Sequence, residues 1–160
     1  MKIIGIDPGI NKLGYGIING NIKIIESGTI LPPKKLNYEN KIKYLLENFE
    51  NLIEKYNPDF VSIEEIYVAK NVQIALKIGI LIGGIICSSI TKNIKFSLIP
   101  PREIKKIITG KGGATKQQVK FMVENLTNFY KFKSYEETDA VACAISLIFK
   151  LKENALLYKR

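Results

Sequence analysis

The chain contains no histidine among its 160 residues. That excludes Ser-His-Asp and Cys-His nucleophilic catalysis, histidine-ligated zinc and a histidine general base. Acid–base or metal chemistry must therefore rest on the 15 carboxylates, or on Lys, Tyr or Cys. Cysteine is scarce too. Cys87 and Cys143 lie in the apolar runs GGIICSSI and DAVACAIS. That placement predicts two buried, reduced thiols and excludes a disulfide framework or a cysteine zinc site. The first residues carry one lysine and a short apolar run cut by Asp7, unlike a secretory leader. The longest apolar stretch, Ile74 to Ile90, includes Lys77, is glycine-rich and is short for a bilayer span. The expectation is a cytoplasmic protein that makes no use of a membrane. No internal repeat is visible.

What is abundant is positive charge. Lys and Arg number 24, the net charge is +9 and the pI is about 9.4. Lysines cluster at Lys105-Lys106, from Lys111 to Lys120, and at Lys131 and Lys133. A basic domain is drawn to polyanions, and neutralising phosphates releases counterions. A lysine-rich solvated surface has the same composition, so charge alone does not decide. At 46% hydrophobic, the chain reads as one soluble globular domain over 1–160 with enough length for its own core.

Periodicity sets out the elements. Lys2 to Asp7, Leu13 to Ile18 and Ile22 to Ile30 read as three strands, with a hairpin turn at Asn19-Gly20. After Pro32-Pro33, apolar residues at Ile42, Leu45, Leu46, Phe49, Leu52 and Ile53 predict a helix over 37–56, with Asn37 near its cap. Phe60 to Ile63 is a fourth, buried strand that delivers Glu64 and Glu65 at its end. Asn71 to Ser89 reads as a long apolar helix, with Gly79, Gly83 and Gly84 as a small-residue face for close packing. Ile94 to Ile99 is a fifth strand. A short helix runs from Pro101 to Thr109. A flexible basic loop, GKGGAT, leads to Thr115, which caps a helix over 116–128. A final helix covers 136–150. Three strands followed by alternating helices and strands give an α/β fold with a mixed, five-stranded sheet.

Four carboxylates stand where such elements converge. Asp7, one of three aspartates, ends the first strand, and Glu64 ends the fourth. Glu136 and Asp139 are three apart at a helix start, so they share a face. Strand ends and helix starts meet at one edge of an α/β sheet. Carboxylates brought together there repel unless a cation joins them, and hard oxygen donors suit Mg²⁺ or Mn²⁺. Two such ions roughly 3.5–4 Å apart activate a water and stabilise the leaving oxygen of a phosphodiester. Pro8-Gly9 would then let a nucleic-acid backbone approach. Each residue also has a plainer explanation. Asp-Pro-Gly is a common turn, Glu64 and Glu65 suit solvated strand ends, and Glu136, Glu137 and Asp139 suit a helix start.

In the stretches GIDPGINKLGYG, PDFVSIEEIYVAKNVQIALKIGILIG, PPREIKKIITGKGGATKQQV and TDAVACAIS, the chain resembles the RuvC family of Holliday junction resolvases, within the ribonuclease H-like superfamily. The resemblance covers nearly the whole chain. It implies a ribonuclease H-like fold and a Mg²⁺-dependent endonuclease with two ions per subunit, for which Mn²⁺ can substitute. It further implies a homodimer that nicks opposed strands of a four-way DNA junction symmetrically, coupled to the branch-migration proteins RuvA and RuvB. By position, Asp7, Glu64, Glu136 and Asp139 match the metal-binding carboxylates, whereas Glu65 does not. Glu136 departs from the pattern, which usually has Asp there or His in some members. Tyr67 matches an aromatic that stacks on opened bases. Lys105 and Lys116 match basic residues near the scissile DNA. Arg102, Lys106 and Lys111 are neighbours suited to phosphate contacts, and Lys70 and Asn71 belong to a matching segment. The glycine face of the long apolar helix is the expected dimer contact, unless that helix packs inside its own monomer.

Three other readings share parts of the pattern. A ribonuclease H-like nuclease acting on RNA, such as the YqgF family, has the carboxylate logic but lacks IEEIYVAKN and GKGGATK. Asp7, Gly9 and Gly14 also resemble the first phosphate loop of actin-like ATPases and sugar kinases, which need a second lobe. A junction-binding protein without catalysis follows if Glu136 disables the metal site.

Overall fold

The computed structural model describes residues 1–66 and 71–157. Five strands form one sheet: β1 (Lys2–Asp7), β2 (Leu13–Asn19), β3 (Ile24–Ile30), β4 (Phe60–Glu64) and β5 (Lys95–Ile99). Their order is β3-β2-β1-β4-β5. The first three are antiparallel neighbours, and β4 and β5 run parallel to β1 and to each other. The helices are α1 (Tyr38–Tyr56), α2 (Val72–Thr91), α3 (Pro101–Thr109), α4 (Lys116–Thr127) and α5 (Tyr135–Leu157).

Alternation along β1 sorts the core into two layers. Ile4 and Ile6 join Val61 and Ile63 of β4 in a cluster with Leu45 and Phe49 of α1 and Leu81 and Ile85 of α2. Ile3 turns to the opposite cluster, with Ile104 of α3, Val119 of α4 and Val141 to Ile145 of α5. Gly5 shares that second face. A Cβ on it would collide with the Ala140 carbonyl oxygen, and one on Gly14 or Gly16 would collide with Glu136 or Val141. These three glycines let α5 lie directly on β1 and β2.

Helix ends follow their caps. The Asn37 side chain accepts from the Asn40 amide at 2.9 Å, and α1 stops at Asn57, whose φ of 44° is left-handed. Asn71 caps α2 through the Ile74 amide at 3.2 Å. Thr115 and Gln118 close a capping box at the start of α4, at 3.2 and 2.9 Å. At the start of α5, Ser134 Oγ accepts from the Glu137 amide at 3.3 Å. α5 outruns the expected end at Lys150 because LKENALL contains no breaker.

Four expectations change. The β2–β3 connection is not a two-residue turn at Asn19-Gly20. Asn19 Oδ1 accepts from the Asn21 and Lys23 amides, and the left-handed residue is Ile22, with φ 62°. The three glycines of α2 do not form one face. Gly84 points at Leu46 of α1, whereas Gly79 and Gly83 open onto empty space. Cys143 is buried as expected, but Cys87 is exposed, because α2 is covered on one side only. Finally, α2 is long and apolar enough to span a bilayer. It nevertheless joins adjacent parallel strands and buries Leu81, Ile82, Ile85 and Ser89, so a membrane crossing would dismantle the sheet.

Candidate active site

The period of two that builds the core also aims the acids. Counting from Gly5 on β1, Asp7 falls on the α5 face. On β4, Ser62 reaches α5 by donating to the Cys143 carbonyl at 2.9 Å, so Glu64 falls on that face as well. Helix α5, seated by the glycines, contributes Asp139. Asp7, Glu64 and Asp139 thus line one pocket of about 170 Å³, with Lys105 of α3 and Lys116 of α4. Pro101, Ile104 and Val119 complete its wall.

The electrostatics are those of crowded acids. Burial, then the Asp139 charge, raises the Asp7 carboxyl to about 7, against the opposing pull of Lys116. Burial, then Asp7 and Asp139, raises Glu64 to about 8. Burial also raises Asp139, although Lys116 lies 3.3 Å from its Oδ2. Lys116 itself is raised: burial would lower it, but Asp139 and Asp7 outweigh burial.

Glu136 lies outside this pocket wall. Its Oε2 pairs with Lys12 of the β1–β2 turn at 2.7 Å, and that contact holds its carboxyl below the ordinary carboxylate range. Arg102 and Lys111 are exposed and do not line the pocket; Arg102 packs beside Gly112. Lys106 is exposed on α3. Asn71 has a local task as the α2 cap. Tyr67 and Lys70 lie outside the described residues. Glu65 is exposed, and its amide donates to the Ile99 carbonyl at 3.0 Å. Gly9 has an internal reason to be glycine, since a Cβ there would strike the Lys12 carbonyl.

Sequence reasoning missed two residues. One is Lys12, whose partner is remote in sequence. The other is Glu137, which is 4% exposed and accepts from Ser27 Oγ of β3 at 2.7 Å and the Lys133 amide at 2.8 Å. It pins the first turn of α5 next to Asp139. The S-x-x-E spacing from Ser134 was the available signal.

The donors fit a hard divalent cation. All are carboxylate oxygens, Asp7 and Glu64 are held in mutual repulsion, and a cation between them relieves it. Among the described residues no three acids already meet around one point.

A mixed sheet of this order flanked by these helices is the ribonuclease H-like fold, here with an acidic pocket where β1, β4 and α5 meet. The family model described as crossover junction endodeoxyribonuclease RuvC matches residues 3–147. A crossover junction endodeoxyribonuclease RuvC from Dictyoglomus thermophilum is 36% identical over 154 residues, covering 94% of this chain and 98% of that one. One from Alkaliphilus oremlandii is 38% identical over 149 residues, covering 91% of each. A solved structure of T. thermophilus RuvC in complex with Holliday junction substrate superposes with a TM-score of 0.89 at 21% identity, covering 96% of both chains. The chain belongs to the RuvC family of crossover junction endodeoxyribonucleases.

Proposed function

We infer that this chain is a nuclease that resolves four-way DNA junctions by hydrolysing phosphodiesters in opposed strands, in recombination and DNA repair. The observation that carries the mechanism is the convergence of Asp7, Glu64 and Asp139 with Lys116 and Lys105 in one pocket. Nucleases of this family are metal-dependent. We propose Mg²⁺ as the ion, two per subunit, with Mn²⁺ as a substitute. Bound there, the ions supply an activated water and neutralise charge at the leaving oxygen.

The chain's own groups do the rest. Asp7 would help hold both ions, Glu64 would hold one, and Asp139 with Glu136 would hold or orient the other. Glu136 takes part only when Lys12 releases it. Lys116 places a positive charge where negative charge develops on the phosphate. Lys105 holds a neighbouring phosphate, and Arg102, Lys106 and Lys111 extend that contact along the duplex. From the family resemblance, Tyr67 is assigned to stacking on an opened base, and Lys70 and Asn71 to contacts with DNA. Among the described residues lining the pocket none is Ser, Thr, Tyr or Cys, which supports direct attack by water with no covalent intermediate.

We propose that two copies pair through the open side of α2, where Val72, Leu76 and Ile80 are 58–65% exposed. A two-fold dimer presents two identical pockets to a roughly two-fold junction. RuvA and RuvB are the proposed branch-migration partners, and the cytoplasm is the proposed compartment.

The test is a labelled synthetic four-way junction with Mg²⁺, run beside Asp7→Asn, a linear duplex and an RNA–DNA hybrid. Paired symmetric nicks on the junction alone, lost in Asp7→Asn, are expected. Cleavage of the hybrid instead sinks the reading.

A further inference from the structure

Next to the carboxylate pocket, a groove of about 500 Å³ opens between the β1–β2 turn and the first turns of α1 and α2. Lys12, Lys41 and Lys77 line it with Asn11, Tyr38 and Ile74, and no carboxylate lines it. Lys12 is occupied by Glu136. The other two ammonium groups are held by neutral partners. Lys41 Nζ donates to Asn11 Oδ1 at 2.6 Å. Lys77 Nζ lies 5.4 Å from the Tyr38 ring centroid, while the Tyr38 hydroxyl donates to the Lys77 carbonyl at 3.0 Å. Neither forms an ion pair among the described residues. Each ammonium therefore has a neutral neighbour, and its charge stays uncancelled.

We infer that this groove binds the sugar–phosphate backbone of the DNA strand on the far side of the catalytic pocket, with Lys41 and Lys77 each meeting a phosphate. The inference rests on the nuclease reading. Charge complementarity selects a polyanion, and continuity selects the same DNA. Asp7 in the pocket wall ends β1 and Gly9 in the groove wall lies two residues on in the β1–β2 turn, so a strand leaving the carboxylates across that turn enters the groove. The apolar surface offered by Ile74 suits a ribose face.

The test measures binding of a four-way junction by fluorescence anisotropy across a NaCl series, with EDTA present to block cleavage. It compares wild type, Lys41→Gln/Lys77→Gln, and the control Lys55→Gln/Lys92→Gln. The control removes the same net charge from the opposite ends of α1 and α2, where Lys55 pairs with Glu26 at 3.0 Å and Lys92 with Glu54 at 2.8 Å. The groove variant is expected to flatten the plot of log affinity against log salt by about 0.9 per lost phosphate contact, roughly 1.8 per subunit and about 3.6 for the proposed dimer. The control keeps the wild-type slope, and Lys41→Arg/Lys77→Arg restores it. If the glutamine pair unfolds, the single variants carry the test, each with about half the change. An unchanged slope in a folded groove variant overturns the inference, as does equal flattening in the control. A parallel Mg²⁺ arm with wild type judges the nuclease reading separately. Absence of junction cleavage there sinks that reading, while the slopes still decide the groove.

Discussion

Asp7 and Glu64 are placed against their own electrostatic interest. Their carboxyls sit at about 7 and about 8 rather than near 3.8 and 4.5. A carboxyl whose folded value is raised contributes stability below its unfolded value and loses it as pH rises through the folded value. The cation-free protein is therefore expected to lose this contribution, and melt at progressively lower temperature, from about pH 4 to about pH 8, and Mg²⁺ is expected to reverse that loss; calorimetry in EDTA and in Mg²⁺ checks both. Asp7→Asn removes one of the repelling charges. It should abolish cleavage yet raise the cation-free melting temperature at pH 8 by roughly 2–4 °C, the equivalent of about 1 kcal/mol for a chain of this size. A Tm below wild type in EDTA would show that Asp7 supports the fold instead. Lys116→Ala should lower the single-turnover cleavage rate by about 10²-fold or more, as loss of a charge poised at a developing oxyanion does. The convergence of Asp7, Glu64 and Asp139 was legible because two strand ends and a helix start meet at one edge of the sheet, whereas the three-residue spacing that paired Asp139 with Glu136 did not bring Glu136 into the pocket wall. The Lys12–Glu136 pair was not legible, because two surface turns distant in the chain make it and no periodicity links them.

Element boundaries were legible wherever a side chain caps or a residue breaks. Asn37 and Thr115 each accept the amide bond that their positions predict, whereas Asn71, read as the first helical residue, is the cap of α2 instead. The β2–β3 turn was misread because the Asn19 side chain captures two amides and lengthens the loop, so the left-handed position moves to Ile22. The seating of α5 was hidden for another reason: a glycine in a strand shows absence of a side chain, but not what fills the space. Gly5→Ala tests that seating. Its methyl meets α5 backbone, which cannot yield as a flexible side chain can. The expected cost is about 1–3 kcal/mol or more, as for overpacked cores, read as a shift in denaturant midpoint. Cleavage should fall with it, because Asp139 rides on the displaced helix. A variant as stable and active as wild type would refute the account.

At the scale of the molecule, a mixed five-stranded sheet opening with three antiparallel strands followed from the succession of elements, but the covering of α2 did not. A helix apolar all round looks the same in sequence whether its neighbours come from one chain or two. Ile80→Glu places a charge on the open side without touching the monomer core, since Ile80 is 58% exposed. It should shift sedimentation from dimer to monomer with little change in monomer stability, and junction cuts should become unpaired. A dimer that persists would move the interface elsewhere. The sheet also divides the protein's tasks. Asp7, Glu64 and Asp139 all lie on its α5 side, whereas α2 lies on the other, with five strands between them. The open side of α2 can therefore be rewritten without editing the carboxylates. A pair of opposite charges across α2 would let an intact copy be matched with an Asp7→Asn copy. Such a mixed pair would make one incision per junction, turning a tool for separating chromosomes into one that marks a single chosen strand.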